Sequence, residues 1–366
     1  MKKIMVVFGT RPEAIKMCPL VKELKGEKSF QTVVCVTGQH KEMLQQVLDV
    51  FEIVPDYNLN VMKSGQTLCD ITSNVLIGMK SVLEKECPDM VLVHGDTTTA
   101  FAAALSAFYQ QIPIGHVEAG LRTYNLKAPY PEEFNRQGVG VLADYHFAPT
   151  RSAKDNLIKE GKKENTVYLT GNTVIDALKT TVVPNYQHEL LNWAKGSRLI
   201  ILTAHRRENW GQPLYDIFNG IKQVLDDIED IKIIYPVHMN PKVRKIANEV
   251  FVEHERVKII EPLNVFDFHN FLKHSYLILT DSGGIQEEAS ALRKPVLVLR
   301  ENTERPEGVF TGVSKLIGID KNVITKTLKQ VLTDEKIYKH MITSINPYGD
   351  GEACKRIVNV LKNKYL

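Results

Sequence analysis

The chain reads VLVHGDTTT AFAAALSAFYQQ IPIGHVEAGLR from residue 91 to residue 122. Two short apolar runs rich in β-forming residues flank an alanine-rich segment that is typical of a helix. A strand, a helix and a strand within about 30 residues form a βαβ unit, so the two strands should be parallel and adjacent. Their carboxyl ends then place Asp96 and Glu118 at the edge where open α/β sheets bind ligands.

The same alternation continues on both sides of this unit. Further strands are predicted at 4–9, 32–38, 145–150 and 167–172, and then at 198–205, 231–238, 257–263, 276–281 and 294–300. Helical patterns separate most of them, and the polar segment 180–197 is the predicted linker. The sequence therefore predicts an α/β protein with two doubly wound halves and a ligand cleft between them.

Length, composition and charge are those of an ordinary globular protein. The 366 residues, 43% of them hydrophobic, suggest about two domains with a large core. A net charge of +3 is too small and dispersed to indicate nucleic acid or membrane binding. Five scattered cysteines without a CxxC pair predict neither disulfides nor a metal site. The apolar run 4–8 is too short for a signal peptide, so the chain is expected to be cytosolic.

A first anion-binding turn is predicted in FGTRPEAIK (8–16). A strand ends there and a helix begins, which places Arg11 and Lys16 near the helix N-terminus. A well-capped first turn with solvent-facing basic residues would give the same pattern.

A second candidate turn lies in LTDSGGIQEEA (279–289). Ser282, Gly283 and Gly284 follow a strand and open a helix, so backbone N–H groups can approach a phosphate. Glu287 or Glu288 could accept hydrogen bonds from ribose, and Arg305 could add a cation. An ordinary glycine-rich turn is the alternative, and the absence of GxGxxG removes the dinucleotide fingerprint.

Histidines add further candidates. His205 and His238 each end a predicted strand, where a side chain points toward the ligand edge. A structural role is the alternative for either. His94-x-Asp96 and His116-x-Glu118 have the i, i+2 spacing that shares one strand face, which leaves a metal centre conceivable. These four residues match no familiar metal-ligand spacing, so acid–base chemistry is favoured over a metal centre.

Eleven motifs carry a family resemblance. In chain order they are FGTRPEAIKMCPL, TGQHKEML, VLVHGDTTT, GHVEAGLRT, PYPEEFNR, TGNTVIDAL, TAHRREN, YPVHMNP, LTDSGGIQEEA, TERPEG and NPYGDG. Together they resemble the non-hydrolysing bacterial UDP-N-acetylglucosamine 2-epimerases across essentially the whole chain.

The resemblance implies a GT-B-like fold of two Rossmann-like domains. Residues 1–180 would form the first, with the C-terminal helix 355–366 packing back on it, and residues 181–354 the UDP-binding second. It implies interconversion of UDP-GlcNAc and UDP-ManNAc by elimination and re-addition of UDP through a glycal, without a redox cofactor or an obligatory metal. A homodimer that supplies ManNAc-type sugars for cell-surface polysaccharide is implied as well.

The resemblance also implies a set of site residues. Contacts to the nucleotide-sugar would come from Arg11, Lys16, Asp96, Glu118, His205, Leu263, Phe268, Ser282, Gly283, Gly284, Glu288 and Arg305. The acid–base and charge-stabilising group would be Asp96, Glu118, Glu132 and His205. A second UDP-GlcNAc is implied as an activator, in the region matched by Gln39, His40, Arg206 and His238. Glu42 and Gly65 there differ from the Gln and Arg of some relatives.

Alternative functions stay open at this point. A GT-B glycosyltransferase shares the fold and the phosphate turn, but it needs an acceptor site and has no use for several carboxylates around the sugar. A related epimerase could act on another UDP-N-acetylamino sugar, or hydrolyse its substrate to release ManNAc. The third alternative is a catalytically idle regulator that binds a sugar nucleotide, and the retained acidic residues argue against it.

Overall fold

The structure is a computed structural model that describes residues 1–39, 41–63, 65–252 and 254–365, with Lys41 described by its backbone alone. The chain divides into two compact units, Met1–Thr180 with Tyr348–Leu366, and Thr181–Pro347. Each unit holds one parallel sheet flanked by helices. The predicted α/β fold class with two doubly wound halves is confirmed.

The first unit is built on seven strands. They are β1 (Lys2–Phe8), β2 (Phe30–Val36), β3 (Tyr57–Asn58), β4 (Met90–His94), β5 (Ile114–Val117), β6 (Tyr145–Ala148) and β7 (Val167–Leu169). The helices are α1 (Arg11–Gly26), α2 (Lys41–Val50), α3 (Leu68–Glu86), α4 (Thr98–Tyr109), α5 (Glu132–Leu142), α6 (Arg151–Lys159) and α7 (Thr173–Thr181), which ends one residue past the boundary between the units.

The second unit is built on six strands. They are β8 (Arg198–Thr203), β9 (Ile231–Pro236), β10 (Val257–Ile260), β11 (Leu277–Thr280), β12 (Val296–Val298) and β13 (Ser314–Leu316). The helices are α8 (Glu189–Ala194), α9 (Gln212–Asp227), α10 (Pro241–Val250), α11 (Val265–His274), α12 (Gly283–Ala291), α13 (Pro306–Thr311), α14 (Lys321–Thr333) and α15 (Glu335–Thr343). The last helix of the chain, α16 (Ala353–Tyr365), belongs to the first unit.

Strand order identifies the ligand edge of each sheet. The sheets run β3-β2-β1-β4-β5-β6-β7 and β10-β9-β8-β11-β12-β13, with parallel ladders. The order reverses between β1 and β4, and between β8 and β11, and such switch points are where doubly wound sheets bind ligands. The edge strands β3 and β13 went unpredicted. β3 has only two residues, and β13 (SKL) has one apolar residue, whereas the equally short β7 (VYL) and β12 (VLV) are apolar throughout.

The βαβ unit that decides the fold forms as predicted. Val91 pairs with Ile114 and His94 with Val117, so β4 and β5 are parallel neighbours. Thr97 caps α4 by accepting the N–H of Ala100 at 3.0 Å. The small buried alanines of α4 let its neighbour α3 pack close against it. The segment therefore holds the carboxyl ends of two neighbouring strands in fixed register.

The C-terminal helix packs against α1 within the first unit. Asp176 accepts the N–H groups of Ala353 and Cys354 at 3.2 and 2.9 Å, which satisfies the start of α16. The C-terminal part of this unit begins at Tyr348, earlier than the residue 355 expected from the sequence. Tyr348 is fully buried, and its carbonyl accepts the N–H of Asn172 at 2.8 Å.

Gly120 sets the path of the chain after Glu118. Its φ is +90°, and a Cβ there would lie 2.2 Å from the carbonyl oxygen of Ala153. We expect Gly120→Ala to lower the free energy of unfolding by about 2–4 kcal/mol, since it adds left-handed strain to a backbone clash. Gly161, with φ +83° and no atom within 4 Å of a Cβ, is the control. Gly161→Ala should cost about 1 kcal/mol in urea unfolding, and equal losses would contradict the expectation.

Candidate active site

The turn after β1 is locked by a buried carboxylate. Thr10 caps α1 in a capping box with Glu13, whose Oε2 accepts the N–H of Thr10 at 2.7 Å and of Gly9 at 3.0 Å. The other oxygen of Glu13 accepts the hydroxyl of Thr97 at 2.6 Å. Glu13 thereby joins the turn after β1 to the turn after β4. The T-x-x-E pattern at residues 10–13 could have identified it in the sequence.

Two groups approach the carboxylate of Glu118 at the end of β5. Lys16 Nζ contacts its Oε2 in an ion pair whose side chains are 11% and 10% exposed. His94 Nε2 lies 2.9 Å from the same oxygen. Glu118 also has a φ of +62°, an unfavourable conformation for a residue with a Cβ, and such residues cluster at functional sites. Two predicted residues, Lys16 and Glu118, are thus brought together.

Asp96 is fixed by an arginine that the sequence analysis missed. Arg136, which is buried, contacts Asp96 Oδ2 through Nη2 and donates its Nε–H to the same oxygen at 3.1 Å. Its Nη1 donates to Glu133 Oε2 at 2.9 Å. The N–H of Gly95 donates to the carbonyl of Val117 at 2.9 Å, so Asp96 and Glu118 follow hydrogen-bonded positions on neighbouring strands.

The two neighbouring glutamates of α5 differ in their surroundings. Glu133 is fully buried and accepts the N–H groups of Thr123 and Tyr124 at 3.0 and 3.1 Å. It therefore holds the loop after β5 and is an acceptor of structural hydrogen bonds. Glu132, the first residue of α5, is half-buried, and its side chain makes no hydrogen bond or ion pair with the described part of the chain. Arg11 begins α1 and is half-buried as well.

The histidines of β4 and β5 do not converge. Val93 pairs with His116, so His94 and His116 lie on opposite faces of the sheet. His116 donates its Nε2–H to the carbonyl of Gly95 at 2.7 Å, and burial keeps its pKa well below the ordinary value. In residues 1–39, 41–63, 65–252 and 254–365, no three His, Cys, Asp or Glu side chains are placed to hold a metal ion.

The buried side chain of His146, on β6, should make the free energy of unfolding depend on pH in the acidic range. Burial, with the charges of Lys162 and Arg122, lowers the pKa of His146 to about 4, whereas an unfolded histidine has a pKa of about 6.5. The unfolded chain then binds more protons between these values, so the free energy of unfolding should fall by about 3 kcal/mol as pH drops from 6.5 to 4. Urea unfolding at several pH values measures this. His146→Gln should remove its share of the slope, and the share of His116, whose pKa is also lowered by burial, should remain. An unchanged slope would contradict the assignment.

In the second unit, Asp281 organises the turn after β8. It is fully buried, and its Oδ2 accepts the N–H groups of His205 and Arg206 at 2.7 and 2.8 Å. Its Oδ1 lies 3.2 Å from His205 Nδ1, although the two atoms are not aligned for a hydrogen bond. The negative charge beside Nδ1 favours a proton on that nitrogen, which leaves Nε2 as a proton acceptor. Burial lowers the pKa of His205; Asp281 opposes this effect, and Arg206 and His238 add to it. Asp281 went unrecognised in the sequence, although it directly follows β11.

The predicted phosphate turn opens α12. Ser282 is the N-cap of this helix and Gly283 its first residue, and first-turn N–H groups have no helical partner. The guanidinium carbon of Arg305 lies 3.8 Å from the position a Cβ on Gly283 would take. Arg305 Nε contacts Glu287, a carboxylate that is 1% exposed. Glu287 thus holds Arg305 over the start of α12, beside N–H groups suited to an anion.

Three more predicted residues lie near α11. Glu288 Oε2 is 3.5 Å from Nε2 of His269, a buried histidine whose Nδ1 lies 2.7 Å from the Thr181 hydroxyl. Leu263 and Phe268 are partly buried and pack against the hydrophobic cluster of the second unit. Glu288 is therefore anchored, and both apolar residues keep exposed surface.

The residues predicted for an activator site fall on several elements. Gln39 accepts the hydroxyl of Thr99 at 3.0 Å in the first unit. In the second unit the rings of His205 and His238 stack with centroids 5.5 Å apart, and Arg206 donates its Nε–H to the carbonyl of Asp281 at 3.3 Å. His40 lies outside the described residues.

Each unit holds one doubly wound parallel sheet, and this architecture defines the GT-B-like class of proteins. Acidic side chains follow strands of the first sheet, and in the second unit Arg305 lies beside the glycine-opened start of α12. A family model described as UDP-N-acetylglucosamine 2-epimerase matches residues 22–362. The UDP-N-acetylglucosamine 2-epimerase of Bacillus subtilis (strain 168) is 56% identical over 363 residues, covering 99% of this chain and 96% of that protein. The chain belongs to the UDP-N-acetylglucosamine 2-epimerase family.

Solved structures agree with this assignment. The S. aureus MnaA–UDP co-structure is 55% identical with a TM-score of 0.93, covering 100% of this chain and 97% of that one. The UDP-GlcNAc 2-epimerase from Neisseria meningitidis bound to UDP-GlcNAc is 46% identical with a TM-score of 0.92, covering 99% and 100%. Among the described residues, the helices are too short or too polar for any of them to span a membrane.

Proposed function

We propose that this protein interconverts UDP-GlcNAc and UDP-ManNAc by inverting C2 of the sugar. The observation that carries the proposal is the pair of carboxylates, Asp96 and Glu118, at hydrogen-bonded strand ends of a chain from this family. Each is held by a cation, Arg136 and Lys16 respectively.

The reaction proposed is elimination followed by re-addition. A base removes the proton from C2, the C2–H electron pair forms the C1=C2 double bond, and the C1–O bond breaks to release UDP. Re-addition of UDP to C1 of this glycal, with a proton delivered to the opposite face of C2, completes the inversion. The route needs acid–base groups at C2 and cations at the departing diphosphate.

The first unit supplies the proton chemistry in this proposal. Asp96, Glu118 and Glu132 form the acid–base group at C2. Glu132 makes no ion pair with the described residues, so it can exchange a proton without breaking one. Asp96 and Glu118, beside Arg136 and Lys16, suit the stabilisation of positive charge that develops at C1.

The second unit supplies UDP binding in this proposal. The start of α12 with Ser282, Gly283 and Gly284 is suited to the diphosphate, and Arg305 adds a cation. Glu288 is assigned to the ribose. His205, with its acceptor nitrogen available, is assigned to a proton of the substrate near the phosphate.

The deciding experiment uses purified protein and UDP-GlcNAc in D₂O, with neither NAD nor an acceptor sugar. We expect UDP-ManNAc to form, with deuterium at C2 of both sugars at equilibrium. Unchanged UDP-GlcNAc, or free ManNAc as the main product, would refute the proposal. The second outcome would identify a hydrolysing enzyme, and transfer only on addition of an acceptor would identify a glycosyltransferase.

We propose further that the protein is a cytoplasmic homodimer that supplies ManNAc-type sugars for cell-surface polysaccharide. Helices α3, α4 and α5, which pack in sequence, expose large apolar side chains at Ile77, Phe108, Tyr109, Phe134 and Val141. Exposed apolar groups of this size favour a protein interface. Light scattering should give twice the mass of one chain, and a monomer at micromolar concentration would refute the dimer.

A second UDP-GlcNAc is proposed as an activator. Gln39, His40, Arg206 and His238 are assigned to it by resemblance, and the stacked rings of His205 and His238 would link it to the reaction. Sigmoidal dependence of the rate on UDP-GlcNAc is the expected result. A hyperbolic dependence would refute activation.

A further inference from the structure

His94 is a buried histidine to which neither the resemblance nor the proposed reaction gives a role. It is the last residue of β4 and is 5% exposed. Its Nε2 lies 2.9 Å from Glu118 Oε2, but the ring is not aligned for a hydrogen bond, and Nε2 has no aligned partner elsewhere in the described residues. A buried polar atom without a partner costs free energy. The function of Glu118 should therefore explain why His94 is buried beside it.

The chemistry of the two groups fixes what His94 can do. A carboxylate only accepts hydrogen bonds, so His94 can stabilise Glu118 only with its proton on Nε2. Hydrogen bonds at active sites are often misaligned without substrate and tighten in the reacting complex. A small rotation of the Glu118 carboxylate would align a contact that already has the right length.

Lys16 and His94 contribute differently to the surroundings of Glu118. Lys16 Nζ and His94 Nε2 both approach Glu118 Oε2. Both side chains are buried, but Lys16 reaches Glu118 through a stem with four rotatable carbons, whereas the imidazole of His94 is a rigid ring on the last residue of β4. Lys16 thus provides a positive charge beside Glu118, and His94 provides a hydrogen-bond donor of fixed orientation. The unfavourable φ of Glu118, +62°, adds to the need for a fixed partner.

We propose that His94 is a positioning residue that donates its Nε2–H to Glu118 during the reaction and holds the carboxylate in its productive orientation. This inference rests on the proposed epimerase function. It gives His94 a role in the chemical step and none in UDP binding, which is assigned to the second unit.

Two variants test the inference. His94→Met fills a similar volume without a donor, and we expect its kcat to fall about 10–100-fold, because a hydrogen bond to a charged group is lost. His94→Gln can place an amide N–H close to the position of Nε2, and it should recover most of that kcat. KM and the UDP dissociation constant should stay within about twofold in both. His146→Met, which removes a buried histidine from the same sheet, is the matched control and should retain the wild-type kcat.

The outcomes separate the two proposals. If wild-type protein epimerises UDP-GlcNAc and His94→Met retains its kcat, the positioning role is overturned and the proposed function stands. If both His94 variants lose kcat equally and melt at lower temperature than His146→Met, His94 has only a structural role, and the inference is likewise overturned. An inactive wild type that still binds UDP would overturn the proposed function itself, and with it the inference.

Discussion

Glu118→Gln is expected to lower kcat for epimerisation by about 10²–10⁴-fold, the range that an acid–base group contributes. Glutamine keeps the size of the side chain, but it carries no negative charge and accepts no proton at neutral pH. Initial rates of UDP-ManNAc formation measure the loss. UDP binding by the second unit should be unchanged, because Glu118 lies in the first unit.

Two controls separate chemistry from stability in this variant. Glu118→Gln leaves Lys16 without its carboxylate partner at a site that is largely buried, which can destabilise the first unit. The double variant Lys16→Met, Glu118→Gln removes both charges and should recover stability without recovering turnover. Glu164→Gln changes a carboxylate in the same unit whose side chain is 82% exposed, and its rate should match wild type. A Glu118→Gln rate above one tenth of wild type would remove Glu118 from the acid–base group.

The fold could be predicted largely from local patterns. The βαβ unit at residues 91–122 follows from two apolar runs around an alanine-rich helix, and the register of β4 and β5 agrees with it. The short edge strands β3 and β13 could not be predicted. Each is specified by pairing with a neighbouring strand, and neither contains the short apolar run that identifies β7 and β12.

The position of the candidate site could be predicted from the sequence, but the ion pairs and hydrogen bonds within it could not. Asp96 and Glu118 follow from their places at strand ends. The contact of Asp96 with Arg136, across 40 positions of sequence, depends on how α5 packs against α4 and β5 and leaves no local signature. Glu132 and Glu133 look alike in the sequence, yet only Glu133 is buried as an acceptor for the loop after β5. Tertiary packing, and not residue type, decides which acid is available for chemistry.

The second large effect is expected at Arg305, the cation held over the start of α12. Removing it should weaken UDP binding about 10–100-fold, since charge-assisted hydrogen bonds to phosphate are lost. A single Arg305→Met change would take from Glu287, which is 1% exposed, the guanidinium that contacts it, and loss of a cation beside a buried carboxylate can destabilise the fold. The informative variant is therefore Arg305→Met with Glu287→Gln, and isothermal titration with UDP measures its dissociation constant.

Glu287→Gln alone is the matched control, because it keeps the cation and removes the carboxylate that competes for it. We expect this variant to bind UDP at least as tightly as wild type, since Arg305 is then released from its ion pair. The double variant should also show a weaker dependence of affinity on salt, because one charge that faces the diphosphate is gone. A double variant that binds UDP within twofold of wild type would mean that the N–H groups of α12 are sufficient for the phosphates. Arg305 would then serve only to neutralise Glu287.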